Sequence, residues 1–351
     1  MDGVLPTAGR PAVVRRATIK DVADTAKVSR STASRALTGN GYVSPAVRDR
    51  VRRVAQSLGY VPDAMARNLR QQVSKSIGVI VSDLRNSFYA DLASGIGRRS
   101  RRAGYAVMLA DDGGAAEQEI EAAEMLVALR VAGVILTPVS AEVTSYLKRH
   151  QVPVVEVDRQ FAAGTADAVV IDNRSAALHM TQELLALGHR RIALFIDEMD
   201  WTTGRERLLG YRQALQQARL PLDEDLVVRG GWDVHEAEQV ARTLLASATP
   251  PTAIFAANNV LAEGVWRAAQ VLGFSIPEQL SLATFDDAPW MTMVRPGVTA
   301  VAQDAVALGE AAVTALLQRL ESPAAPAQTV MHSARLEHRG SIAPPAQVAA
   351  V

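Results

Sequence analysis

The sequence predicts an all-α helix-turn-helix head joined to an α/β core of two similar lobes, each a parallel sheet with helices on both faces. Three observations predict it. Residues 18–37, TIKDVADTAKVSRSTASRAL, read as two short helices joined by a tight turn. From Ile77 onward, short apolar runs alternate with amphipathic helical stretches, as βαβ units do. Charge is split as well: residues 1–76 hold 14 Lys and Arg against 5 Asp and Glu, a net of +9, while the remainder holds 23 against 32, a net of −9. A basic head on an acidic body directs any polyanion to the head alone.

Residues 1–17 lack an apolar centre and are expected to be a disordered lead, not a signal peptide. Thr18 stands where an N-cap belongs, with Asp21 placed to close a capping box. Ile19, Val22, Ala23 and Ala26 repeat at helical spacing and give one small apolar face. Lys27-Val28-Ser29 breaks the pattern, and Val28 can wedge between two helices. Ser29 can cap a second helix, about Arg30 to Leu37, that buries Ala33, Ala36 and Leu37. Its other side shows Arg30, Ser31, Ser34 and Arg35, short hydroxyls and guanidinium forks suited to a major groove. An ordinary helical hairpin with a solvated basic face would use the same residues, so the rest of the chain decides.

Residues 38–42 form a loop with two glycines, and Ser44-Pro45 opens a third helix. Val47, Val51, Val54 and Leu58 are its apolar stripe, and Gly59 ends it. The helix-turn-helix domain therefore spans 18–62. Pro62 and Asp63 can start a further helix of only about two turns, marginal alone in water. It is expected to order when something packs on it, within a hinge and linker at 63–76. The core strands are expected at 77–81, 105–111, 133–137, 152–158, 168–172, 192–196, 253–258 and 280–287. Ligands of such sheets bind at the carboxyl ends of strands, and with two lobes in the cleft between them.

Composition excludes several classes. The chain has 351 residues, 48% of them hydrophobic and none cysteine, so disulfides, thiolate metal sites and cysteine nucleophiles are ruled out. No run of 18 apolar residues suggests a membrane span, and a cytoplasmic location is expected. The six histidines, at 150, 179, 189, 235, 332 and 338, show no metal-ligand spacing. No serine sits in a nucleophile elbow. Gly95-Ile96-Gly97 lacks the third glycine of a dinucleotide fingerprint and falls inside a predicted helix. No catalysis, metal or cofactor is expected.

The ordered set IKDVADTAKVSRSTASRAL, YVPDAMARNL, KSIGVIV with NSFYADL, GHRRIALF, RERLLGY, AIFAANN, and LATFDDAPW through TAVAQD resembles the lactose/galactose repressor family of bacterial transcription regulators over residues 18–341. That resemblance implies a periplasmic-binding-protein-like effector core at 77–340. Lobe 1 would be about 77–173 plus 304–330 and lobe 2 about 174–303 plus 331–340, with 341–351 a disordered tail. It implies a homodimer on a near-palindromic operator in double-stranded DNA, without a membrane role. Arg30, Ser31 and Arg35 are similar in position to base-reading residues. Thr18, Ser29, Thr32 and Ser34 would be phosphate contacts or caps, and Tyr42 a backbone contact. The 63–70 segment resembles the hinge helix, with Leu69 as the minor-groove wedge and Arg67 and Asn68 beside it. For a sugar or sugar-derivative effector, the implied lining is Phe88, Tyr89, Arg159, Trp201, Thr203, Arg207, Trp232, Asn258 and Asp286. Trp232 would stack on a pyranose face, while Asp286, Asn258 and Arg207 meet vicinal hydroxyls. Trp201 departs from the small, polar or basic residues that several relatives carry. The function implied is a repressor whose operator affinity is set by an effector between the lobes. Control by a docked partner protein, or sugar binding without a DNA role, are the alternatives.

Overall fold

Caps and apolar spacing determine where the head folds. The computed structural model describes residues 17–39, 41–60, 74–197 and 201–346. α1 (Ile19–Ala26) begins in a complete capping box: the Asp21 N–H donates to Thr18 Oγ1 at 3.3 Å and the Thr18 N–H to Asp21 Oδ2 at 2.8 Å. Lys27 then takes a left-handed conformation, φ 53°, and ends the helix. α2 (Arg30–Thr38) is capped by Ser29, whose Oγ accepts from the Thr32 N–H at 3.1 Å. α3 (Pro45–Ser57) has Ser44 at its N-cap without a side-chain cap bond, so the fixed φ of Pro45 starts it rather than a hydroxyl. Val22, Ala23, Ala26, Ala33, Ala36, Val43, Val51 and Ala55 form the core, with Val28 and Leu37 packed on it. Five of those eight are alanine, so this head buries little apolar area for its size. The expected hinge helix, with Arg67, Asn68 and Leu69, lies outside the described residues, as do residues 1–16.

The chain divides at Val73/Ser74 into two units. The second holds two six-stranded sheets. β1 (Ser76–Val81), α4 (Ser87–Arg102), β2 (Ala106–Asp111), α5 (Ala116–Ala128), β3 (Gly133–Leu136), α6 (Ala141–Arg149), β4 (Val154–Val157) and β5 (Asp167–Ile171) build the first lobe. The chain crosses at Asp172, which caps α7 (Asn173–Ala186) by accepting from the Ser175 N–H at 2.9 Å. The second lobe follows with β6 (Ile192–Ile196), α8 (Thr202–Gln217), β7 (Val227–Arg229), α9 (Val234–Leu245), β8 (Ala253–Ala256), α10 (Asn259–Leu272), β9 (Ser281–Phe285), α11 (Trp290–Met293) and β10 (Thr299–Ala302). α12 (Ala305–Glu321) returns to the first lobe, and β11 (Thr329–His332) pairs with β5. β12 (Arg335–Glu337) crosses back as the antiparallel neighbour of β10.

The sheets read β2-β1-β3-β4-β5-β11 and β7-β6-β8-β9-β10-β12. The order is the same in each, with the switch point between the first and third strands. Their central strands are buried on both faces and therefore appear as continuous Val, Ile, Leu and Ala runs. β7, β10, β11 and β12 are additions to the strands expected from sequence. Helices pack closely where glycine allows it. A Cβ on Gly95 of α4 would lie 2.2 Å from Val306 O of α12, and one on Gly309 of α12 would lie 2.3 Å from Leu92 O of α4.

Two boundaries need correction. Met331 and His332 belong to the first sheet, so the last crossing falls after 332 rather than at 331. The tail is not disordered from 341. Ser341 is fully buried, its Oγ donates to Leu282 O at 2.6 Å, and it accepts from the Thr299 N–H at 2.8 Å. His189 reaches Ala343 O through Nε2 at 2.9 Å. The tail thus fills hydrogen-bonding positions between β9 and β10 that would otherwise be buried and unpaired. Residues 347–351 lie outside the described residues.

Candidate functional site

In the head, the exposed side of α2 carries Arg30, Ser31 and Arg35. The Arg35 Nε donates to Ser31 O at 3.3 Å, and a Cβ on Gly41 would lie 3.1 Å from Arg35 Cδ, so the loop supports the arginine's stem. Ser29 Oγ lies 2.9 Å from both Ser31 Oγ and Thr32 Oγ1. The hydroxyls of Thr18, Ser29 and Thr32 therefore have local partners already, whereas Ser34 is half-buried and Tyr42 is 88% exposed.

In the second unit, the loops at the carboxyl ends of strands converge on a cleft of about 500 Å³, its open mouth included. Phe88, Tyr89, Arg159, Thr203, Arg207, Trp232, Asn258 and Asp286 all line it. Trp201 lies in an adjoining recess, shared with Trp232, Arg229 and Glu236. Asp83, Asn86, Asp158, Asp197, Val260 and Gln303 also line the cleft and were missed from sequence. Most follow a strand: Asp83 follows β1, Asp158 β4, Asp197 β6 and Gln303 β10. An acid or amide just past an apolar run was the signal that could have found them.

Arg159 is 3% exposed and sits beneath the Trp201 ring, its guanidinium carbon 3.7 Å from the centroid. It donates to Ser82 Oγ at 3.2 Å and to the Tyr89 hydroxyl, and pairs with Asp158 at 3.6 Å. The Trp201 ring meets Trp232 edge-on at 4.9 Å. Arg207 donates to Asn173 Oδ1 at 2.8 Å and to Ala257 O, and rests 3.9 Å above the Phe285 ring. Asn258 caps α10 through the Leu261 N–H at 2.9 Å while donating to Asp197 Oδ2 at 2.9 Å. Gln303 donates to Asp286 Oδ1. The lobes meet here: Asn259 donates to Asn86 Oδ1 at 2.8 Å, and the Gln160 N–H to Thr202 Oγ1 at 3.1 Å.

Asp158 and Asp286 occupy equivalent places. Each follows the fourth strand of its lobe, each has a left-handed φ (68° and 64°), and each N–H donates to the next strand, to Val169 O at 2.9 Å and Val301 O at 3.0 Å. Backbone in this region is strained for a non-glycine residue and concentrates at ligand sites. Burial pushes both carboxyls up, Asp158 to about 6. Burial likewise pushes Asp112, behind Arg159, up to about 6. Among the described residues no His, Asp and Glu cluster could hold a metal ion.

Residues 18–63 match the family model of bacterial regulatory proteins, lacI family, and residues 74–337 that of periplasmic binding proteins and the sugar binding domain of the LacI family. The chain belongs to the LacI family. This regulator is 30% identical over 308 residues to the ribose operon repressor of Haemophilus influenzae, covering 88% of this chain and 93% of that one. It is similar in structure to a transcriptional regulator CelR in complex with cellobiose (TM-score 0.71, 29% identity, 93% and 100% covered). It is also similar to a lac repressor dimer bound to operator and an anti-inducer (TM-score 0.82, 25% identity, 94% and 100% covered). Its relatives are transcriptional repressors rather than enzymes. It is accordingly a DNA-binding transcriptional regulator with an effector domain of the sugar-binding type. No helix among its described residues is long and apolar enough to cross a membrane.

Proposed function

We propose that this LacI-family regulator is a cytoplasmic homodimeric repressor whose affinity for a near-palindromic operator is set by a small carbohydrate-type effector in the cleft. The observation that carries the reading is one chain with both parts: a capped two-helix motif displaying Arg30 and Arg35, and a cleft with indole, carboxylate and guanidinium groups from both lobes. Arg30, Ser31 and Arg35 read base edges, while Tyr42, Ser34 and the capping hydroxyls contact the backbone. Residues 63–70 resemble the family's hinge segment, with Leu69 as the wedge at the central base step and Arg67 and Asn68 beside it on minor-groove edges. Relatives support the ligand class: one is named for ribose, and another is in complex with cellobiose.

In this reading Trp232 stacks on the sugar and Asp158, Asp286, Arg207 and Asn258 engage its hydroxyls. The effector favours one arrangement of the lobes and so shifts the population of the operator-binding state by its differential affinity. A thermal-shift screen of sugars finds the effector, because binding to the native state alone raises the melting temperature. Fluorescence anisotropy on an operator duplex then reads its effect. Asp286→Asn is expected to abolish that effect and leave effector-free operator affinity unchanged; a normal response removes Asp286 from the site. Leu69→Ala is expected to weaken operator binding with effector affinity intact.

A further inference from the structure

The effector's charge can be read from which groups in the cleft are already occupied, an argument that rests on the carbohydrate reading above. Among the described residues, four carboxylates line the cleft (Asp83, Asp158, Asp197 and Asp286) against two guanidiniums (Arg159 and Arg207), with neither lysine nor histidine among them. A fifth carboxylate, Asp112, is fully buried behind Arg159 with its Oδ2 unpaired.

The cations are engaged by the protein itself. Arg159 donates to Ser82 and Tyr89, pairs with Asp158 and is covered by the Trp201 ring. Arg207 donates to Asn173 and Ala257 and lies on Phe285, leaving Nη2 as the arm without a hydrogen bond among the described residues. Among the described residues, only Asp83 of these acids has a cation of its own outside the cleft, Arg85 at 2.9 Å. Among the same residues Asp158 accepts no side-chain hydrogen bond, Asp197 accepts through Oδ2 from Asn258, and Asp286 accepts from the amides of Gln303 and Asn259 with the Arg207 guanidinium as its charged neighbour.

Helix N-termini are the other places where an anion could settle. Two that begin in the cleft lining are already capped: Asn86 accepts from the Phe88 N–H of α4 at 3.0 Å, and Asn258 from the Leu261 N–H of α10 at 2.9 Å. α8 starts without a side-chain cap, at Trp201. One helix terminus is equivalent to about half a positive charge, which does not offset the surplus carboxylates.

We infer that the effector carries no phosphate, carboxylate or sulfate: it is an uncharged or amine-bearing polyhydroxyl compound whose O–H or N–H groups donate to the remaining lone pairs of Asp158, Asp197 and Asp286. Recognition is by donation from the ligand to the protein. An anionic derivative of the same sugar brings acceptors to a lining in which, among the described residues, carboxylates outnumber guanidiniums four to two and the Arg207 Nη2 arm is the one cationic donor left to meet it.

The test is calorimetric titration of the full-length protein with matched sets: glucose, glucosamine, glucose 6-phosphate and glucuronate; ribose and ribose 5-phosphate; cellobiose and cellobionate. In any set that binds, the phosphorylated or carboxylated member is expected to bind at least ten-fold more weakly than its neutral parent. Asp158→Asn and Asp197→Asn each remove a negative charge at nearly constant shape, and each should narrow that gap at least three-fold. An anionic member that binds as tightly as its parent overturns the inference and leaves the carbohydrate reading standing. A gap unchanged in both variants also overturns it, since discrimination would then be steric. Silence from every sugar overturns the inference and the carbohydrate reading together.

Discussion

Glu119 shows how a single buried carboxylate records pH in this molecule. It is fully buried in α5, where Oε1 accepts from the Val139 N–H at 2.8 Å and Oε2 from the Ser140 N–H and hydroxyl at 3.1 and 2.9 Å. Burial outweighs those bonds and pushes its carboxyl up to about 7. The folded state therefore holds its proton more tightly than the unfolded chain. Its contribution to stability is fully present below about pH 4.5 and is lost as pH rises through about 7, amounting to about 3 kcal/mol at most. Urea midpoints measured across that window should rise on acidification, and Glu119→Gln should flatten the slope; equal slopes in the two proteins would sink the assignment. In the head, Arg35→Ala should cost about 1–3 kcal/mol of discrimination between operator and scrambled DNA. Non-specific binding, measured by anisotropy at matched salt, should change much less. At this scale the sequence was partly legible. Asp286 stood in a recognisable TFDD run, whereas its counterpart Asp158 did not stand out, because only the fold shows that VEVD and ATFD end equivalent strands.

Among the elements, most strands buried on both faces were legible because each is an apolar run bounded by turns; β10, with four residues of which one is threonine and two are alanine, is buried throughout yet was not expected. The other additions were not legible, for two reasons. β11 and β12 lie at sheet margins, and β11 exposes Thr329, Val330 and Met331, so no apolar run marks them. β7 has only three residues, none fully buried. The sequence also showed that Gly95-Ile96-Gly97 was no nucleotide loop but not what Gly95 does. Its missing Cβ lets α4 and α12 approach until a methyl would strike the Val306 carbonyl at 2.2 Å. Gly95→Ala should therefore destabilise the first lobe by about 1–3 kcal/mol, the usual range for overpacking. Gly97→Ala, where nothing lies within 4 Å, serves as the control and should be neutral or slightly stabilising. Chemical denaturation monitored by tryptophan fluorescence distinguishes the two; equal effects would mean that the helix crossing tolerates a methyl.

For the whole molecule, the charge asymmetry and the division at Val73/Ser74 coincide, so operator affinity and effector affinity should separate physically. A fragment beginning at Ser74 is expected to keep the effector Kd of the full chain and to lose operator binding altogether; residual specific binding would place DNA contacts in the core. In the intact protein, log affinity for the operator should fall linearly with log salt concentration, by nearly one unit of slope per phosphate neutralised. Two lobes were foreseeable from the number of apolar runs, but the third crossing, between β11 and β12, was misplaced because those strands carry no apolar signature. The ordered stretch after that crossing has a practical side. Ser341 and Ala343 are bonded into the second lobe through Leu282, Thr299, Ser281 and His189. An affinity tag or fluorescent fusion attached after Ala346 would leave those bonds in place. One spliced on at Gly340 would strip two strands of their partners and report on a damaged repressor.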